Sequence, residues 1–203
     1  MPSDIASNQE GAALLEAALV LPVLLLLVFG LTDVSLYFWT KSLALKAVQL
    51  GARRAILSDA VAVGPGLDPA ESATYWYGLP PGARCFPPPG QRTLCPTFQV
   101  RCDFEAGCHC TGDACRFRFV ARRLGPILSA MQAVMPDLRP ENLQITYTTN
   151  GFGYVARPVP VQVDVRVSLV GLHYKPLFLG ELWGDTLPIT ASAGVPGEDL
   201  LTR

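Results

Sequence analysis

Residues 12–31 read AALLEAALVLPVLLLLVFGL, twenty positions with a single charge, Glu16, and a single proline, Pro22. As an α-helix rising about 1.5 Å per residue, this stretch is roughly 30 Å long, the thickness of a bilayer's hydrocarbon core. Much of the chain's apolar excess sits here. Of 203 residues, 50% are hydrophobic and only 16% charged, with a mean hydropathy of +0.30, against about 25% charged in an ordinary soluble domain. A secretory signal has a basic start, a shorter apolar core and a small-x-small cleavage site. The start here, MPSDIASNQEG, holds two acids and no cation, and the run is followed by Thr32-Asp33-Val34-Ser35, then Tyr37-Phe38-Trp39 and Lys41. Amphipathic rings with a nearby cation suit the headgroup layer flanking a retained span.

The helical pattern continues past that belt. Leu36, Leu43, Leu50 and Leu57 recur every seven residues with Ala47 between them; Lys41, Ser42, Gln49 and Arg53 fall off the stripe, and Arg54 interrupts it. One helix over 12–57 is therefore expected, a span running into a stalk whose leucine stripe packs on its own domain or, alternatively, on other subunits.

A carboxylate in a membrane helix costs about 2.5–3.5 kcal/mol even on a lenient scale, so Glu16 calls for a partner or for a place near the headgroups. Gly11 supplies a partner if the chain is cut after it. The new α-amino group of Ala12 would then sit beside hydrocarbon and need a counter-charge. Ala12 and Glu16 are four apart on one helix face, and in a stack of such helices the glutamate of one copy neutralises the amine of the next.

Gly11 followed by Ala12-Ala13-Leu14-Leu15-Glu16 and an unbroken apolar helix resembles the class III signal of type IV pilins and pseudopilins. The fuller pattern G-A-x-x-x-E-x-A-L-V-L-P-x-L-L-L-L, from Gly11 to Leu27, is similar to TadE-like proteins of the Tad (Flp) pilus system, as is Gly51-Ala52-Arg53. The resemblance implies cleavage by a prepilin peptidase between Gly11 and Ala12, Glu16 as the assembly carboxylate, and a helix kinked at Pro22, which lacks an amide hydrogen. Two features depart from the family pattern: the leader is acidic rather than basic, and the cysteine-bearing insertion is long. Counting cations alone would place Lys41, Lys46, Arg53 and Arg54 in the cytoplasm, whereas a cysteine-bearing domain after the helix agrees with the topology of the family.

All six cysteines, Cys85, Cys95, Cys102, Cys108, Cys110 and Cys115, fall in a stretch dominated by Pro and Gly. A loop-rich segment this polar buries too little apolar area to hold itself, so a disulfide-stapled insertion at about 78–116 is expected, in an oxidising compartment. The proline-rich loop between Cys85 and Cys95 would turn the chain back and favours that pairing; the other connectivities stay open. Zinc is the competing reading, with His109 inside the cluster, but the paired C-x2-C knuckles are absent. No metal or cofactor is expected.

Further on, 117–135 reads as a helix, with Leu124, Ile127, Leu128, Met131 and Val134 at helical spacing and Pro136 as its stop. Residues 143–148, 159–169 and 187–191 alternate apolar with polar and predict one-sided strands. Asn150-Gly151-Phe152-Gly153 is a candidate hairpin turn. His173-Tyr174-Lys175-Pro176-Leu177-Phe178-Leu179-Gly180, with Leu182 and Trp183, forms an apolar loop between strands that buries itself in the core, the favoured expectation because connections usually pack down, or else inserts into a membrane surface or a partner. This loop, the following strand and Pro196-Gly197-Glu198 are similar to the end of TadE-like chains.

A net charge of −1 leaves no footprint for nucleic acid. Hydrolase, zinc-protease, P-loop and dinucleotide motifs are absent, so no enzyme is expected. The expected fold class is α+β: leader 1–11, transmembrane and stalk helix 12–57, and an extracytoplasmic domain 58–203 in which helices cover an antiparallel sheet. The expected role is a pseudopilin or minor pilin, a structural or assembly-priming subunit of a Tad pilus. It would be a single-pass protein of the bacterial inner membrane with a periplasmic domain, in contact with membrane lipid, prepilin peptidase, other minor pilins and the major pilin. The alternatives are a membrane-anchored periplasmic binding or sensory domain, and a secreted disulfide-rich enzyme or ligand beginning near Asp33.

Overall fold

The computed structural model describes residues 6–64, 66–67, 83–85, 95, 97–112, 115–149 and 163–197. The chain is α+β, with one long N-terminal helix ahead of an antiparallel sheet domain that carries helices and three disulfides. Two compact units are distinguished: residues 1–40 with 173–187, and residues 41–172 with 188–203.

Helix α1 runs over Ala6–Ile56. It therefore begins ahead of Gly11, and the Gly11–Ala12 bond lies inside a continuous helix rather than at its start. Pro22 stands within it. Its missing amide leaves the Ala18 carbonyl without the usual i−4 donor. In the first unit α1 is accompanied by the segment that carries α3, Gly180–Trp183.

The second unit is built on a five-stranded sheet. Its strands are β2 (Phe98–Asp103), β3 (Gly107–Gly112), β5 (Leu143–Thr149), β6 (Val163–Tyr174) and β7 (Leu187–Gly197), in the order β3-β2-β5-β6-β7. The β3-β2, β2-β5 and β5-β6 pairs are antiparallel. Alternation puts Phe98, Val100 and Cys102 of β2, Leu143, Ile145 and Tyr147 of β5, and Val163, Val165, Val167 and Leu169 of β6 on the buried face. Register aligns them into rows, Val100 with Tyr147 and Val165, and Cys102 with Ile145 and Val167. Such cross-strand pairs and the burial they bring, about 1.5–3 kcal/mol for each large aliphatic side chain, are the main stabilisation of a sheet of this kind. A short second sheet pairs β1 (Ala62–Val63) with β4 (Arg118–Phe119).

The face of α1 that joins this core differs from the one expected. Ala44, Ala47, Val48, Gly51, Ala52 and Ala55 are buried, at the 3-1-3-1-3 spacing of one helix face. Leu50 and Leu57 are exposed, Leu57 at 68%. The leucine stripe is therefore not the packing face. Small side chains win because they let the helix axis approach its neighbours: a Cβ added at Gly51 would meet the Met131 sulfur at 2.5 Å and Val167 at 3.4 Å.

The helix expected over 117–135 is shorter. Residues 118–119 are strand β4, Ala121–Leu124 is a 3-10 turn, and α2 spans only Gly125–Gln132. Pro126 in its first turn suits a helix start, and pairing with β1 draws the preceding residues into extended conformation. Ile127 and Met131 bury its inner side. Tyr147 is fully buried and its hydroxyl accepts the Val61 N–H at 3.0 Å. Burial raises the Tyr147 hydroxyl above its ordinary range, although the Val61 hydrogen bond and the nearby Arg123 act the other way. Arg123 also donates to the Ala60 carbonyl at 2.9 Å and faces Asp59.

Inside the cysteine-rich stretch the structure holds β2 and β3, a hairpin whose turn is closed by the Ala106 N–H on Asp103 Oδ1 at 2.6 Å, with Gly107 at φ 78°. The bridges are Cys85–Cys95, Cys102–Cys108 and Cys110–Cys115. Cys102 and Cys108 are direct cross-strand partners, so two of these three bridges involve strands of the main sheet. The candidate turn at 150–153, the first residues of the 159–169 strand, Glu198, and the whole loop between Cys85 and Cys95 lie outside the described residues.

Candidate membrane interface

Among the described residues, α1 is the one helix long and apolar enough to cross a membrane. Through the 12–31 run its side chains point outward with almost none covered: Leu14, Leu15, Leu19, Leu21, Leu24 and Leu27 are all exposed. Polar groups just beyond the run are satisfied locally. The Thr32, Ser35 and Thr40 hydroxyls donate to the carbonyls of Val28, Leu31 and Leu36 at 2.7–2.8 Å. This back-bonding spares each hydroxyl an unpartnered place near apolar surroundings.

Gly11, Ala12, Glu16 and Pro22 all lie on this exposed helix. Ala12 and Glu16 share a face, as their spacing requires. Among the described residues nothing in the chain pairs with the Glu16 carboxylate.

Sequence reasoning missed Asp33. It is 0% exposed, and its carboxylate accepts three successive backbone N–H groups: Leu177 on Oδ1 at 2.9 Å, and Phe178 and Leu179 on Oδ2 at 3.0 and 2.8 Å. The Tyr174 hydroxyl donates to the Asp33 carbonyl at 3.4 Å. Phe29, Asp33 and Tyr37 follow one another at i+4 along one face of α1, and each meets the loop. Phe29 stacks on Phe178 with centroids 4.6 Å apart, and Tyr37 meets Tyr174 edge-on at 5.8 Å. Gly30 allows the approach, since a Cβ there would stand 3.2 Å from Leu179. The only sequence hint was an acid two residues past an apolar run together with an apolar loop far down the chain.

The loop itself is divided. Pro176 and Leu179 are buried, whereas Leu177 is 69% and Phe178 52% exposed. The expectation of a loop packed into the core holds for the first pair and fails for the second. The carboxylate captures the backbone of 177–179, which leaves the two larger tip side chains facing outward.

On the solvent face of the sheet an open groove of about 700 Å³ is lined by Gln99, Arg101, Thr146, Asp164, Arg166 and Ser168 among others. Arg101 and Arg166 flank Thr146 in one cross-strand row. Among the described residues no group of three or more His, Cys, Asp or Glu is placed to hold a metal ion, and all six cysteines are in disulfides.

Helix and domain together define a class: a chain with one exposed apolar helix of membrane-spanning length followed by a disulfide-bonded α+β domain. Residues 11–53, most of α1, match the family model described as TadE-like protein. No curated protein and no solved structure matches the chain.

Proposed function

We propose that the chain is a pseudopilin or minor pilin of the TadE type, a structural or assembly-priming subunit of a Tad (Flp) pilus and not an enzyme. The observation that carries the reading is the TadE-like match over 11–53 on a helix whose apolar side chains and Glu16 face outward, unclaimed by the chain's own domain. Prepilin peptidase would cut between Gly11 and Ala12. Because α1 is already helical there, cutting requires local unwinding, which glycine eases by about 1 kcal/mol relative to alanine. The freed Ala12 amine would pair with Glu16 of a neighbouring subunit, and Pro22 would add flexibility to the bundle by breaking one helical hydrogen bond.

In the stalk, the outward leucines Leu50 and Leu57 offer apolar surface to other minor pilins or the major pilin, while the alanine face is occupied at home. Three disulfides favour an oxidising compartment, hence an inner-membrane protein with its domain in the periplasm.

A membrane-anchored periplasmic binding or sensory domain is the second reading, favoured by the open polar groove with Arg101 and Arg166. Sequencing the mature N-terminus, by Edman degradation or mass spectrometry, tests the first. A chain starting at Ala12 is expected; one still starting before Gly11 in cells with active prepilin peptidase overturns it. Glu16→Ala separates the two readings: pilus assembly fails with the protein still in the membrane on the first, and nothing changes on the second.

A further inference from the structure

We propose that the tip of the 175–179 loop is a second membrane-inserted element, with Leu177 and Phe178 seated in the lipid interface beside the end of the apolar run of α1 at Leu31. The proposal rests on reading α1 as a membrane span. Phe178 stacks on Phe29 at 4.6 Å, and Phe29 lies two residues inside the end of the apolar run at Leu31. At about 1.5 Å per residue the tip is therefore level with the last turn of the hydrocarbon-length segment. Around it the surface is already apolar: Val28, Leu31 and Leu27 are exposed. Leu177 and Phe178 extend that surface laterally, so the loop continues the lipid-facing face of the helix. Left in water, both side chains would keep most of their apolar surface hydrated, and lipid removes that surface from water.

The backbone gives a second, independent argument. Non-helical chain at membrane depth is tolerated only where its amides are satisfied within the protein. The three amides at the tip, those of Leu177, Phe178 and Leu179, all donate to Asp33. A single carboxylate on the helix thus equips an irregular loop for an apolar medium, and the three amides in turn stabilise its charge there. Lys175, exposed and two residues before Leu177, is placed to reach lipid phosphates as its stem lies along the apolar surface. This arrangement makes lipid the occupant; a second copy of the chain would have to displace it.

Full-length protein carrying benzoylphenylalanine in place of Leu177, reconstituted in phosphatidylcholine–phosphatidylglycerol vesicles, tests this by photolysis and mass spectrometry. The same probe in place of Leu24 reports on the span. Lipid adducts at both positions are expected. A lipid adduct at Leu24 with none at Leu177, or with Leu177 joined only to another polypeptide, overturns tip insertion and leaves the span standing. Absence of lipid adducts at both positions overturns the span as well. Leu177 is exposed, so the replacement is expected to leave thermal unfolding unchanged, which a melt in detergent verifies.

Discussion

Asp33 and Leu179 stand 146 positions apart in the chain and are joined by a 2.8 Å hydrogen bond from the Leu179 amide to Asp33 Oδ2. With the Leu177 and Phe178 amides on the same carboxylate, this fastens a loop of irregular backbone to the helix. Asp33→Ala removes the acceptor for all three. The amides of residues 177–179 are then expected to exchange with solvent at least about tenfold faster, since hydrogen bonds to a charged group are each worth about 1.5–3 kcal/mol. Amide exchange followed by mass spectrometry checks it, and Asp33→Asn should fall between, because its amide presents one acceptor oxygen instead of two.

At Gly51 the backbone of α1 lies against Met131 of α2. Gly51→Leu is expected to destabilise the domain by about 1–3 kcal/mol through overpacking and to lower the melting temperature of the full chain in detergent. Gly51→Ala should destabilise less than Gly51→Leu: its Cβ would stand 2.5 Å from the Met131 sulfur and 2.8 Å from its Cγ, so the buried Met131 side chain must shift, and the gain of about 1 kcal/mol in helix propensity offsets part of that cost.

Tyr147 predicts an alkaline instability. Its hydroxyl is raised in the folded state by burial, so the folded chain holds that proton more tightly than the unfolded chain does. The resulting stability is fully present below the ordinary tyrosine value of about 10 and is lost as pH rises above it, at about 1.4 kcal/mol per unit. Tyr147→Phe should cost about 1–3 kcal/mol at neutral pH, because the Val61 N–H loses its partner, and should flatten the alkaline decline. Denaturant unfolding of both proteins between about pH 8 and 11 measures the two effects.

The bridges predict a peptide map. Proteolysis without reductant should yield Cys85–Cys95, Cys102–Cys108 and Cys110–Cys115 as separate linked pairs. Converting Cys102 and Cys108 together to serine should cost about 2–3 kcal/mol, as expected for opening a short loop; chemical denaturation reports the loss.

Leu50 and Leu57 separate folding from assembly. Leu57 is 68% and Leu50 38% exposed, so Leu57→Asp should change domain stability by no more than about 0.5 kcal/mol, and adding Leu50→Asp should cost more, because over half of that side chain is covered. Pilus assembly or co-purification of other pilus subunits should nevertheless fall, because an apolar contact surface has become charged.

The sheet was largely legible beforehand. β5, β6 and β7 announce themselves by alternation, as in Val163, Val165 and Val167 against Asp164 and Arg166, because a strand's two faces repeat every second residue whatever it packs on. β2 is less legible: Phe98, Val100 and Cys102 alternate with Gln99 and Arg101, but surrounding prolines and glycines hide a signal that appears only once cysteine is counted as a buried apolar residue.

The sequence by itself determined the membrane-length helix, its outward Glu16 beside Gly11 and Ala12, and the α+β class, because hydrophobic length and periodicity are local properties. Only the tertiary structure decided which face of α1 packs and what Asp33 does. Hydrophobicity ranks leucine above alanine, yet how closely a helix approaches its neighbours depends on its smallest side chains, so the alanine and glycine face is buried and Leu57 is left outside. A carboxylate bound to amides 144 to 146 residues away leaves no period in the chain, since backbone N–H groups are the same in every residue and only folding selects which three it receives.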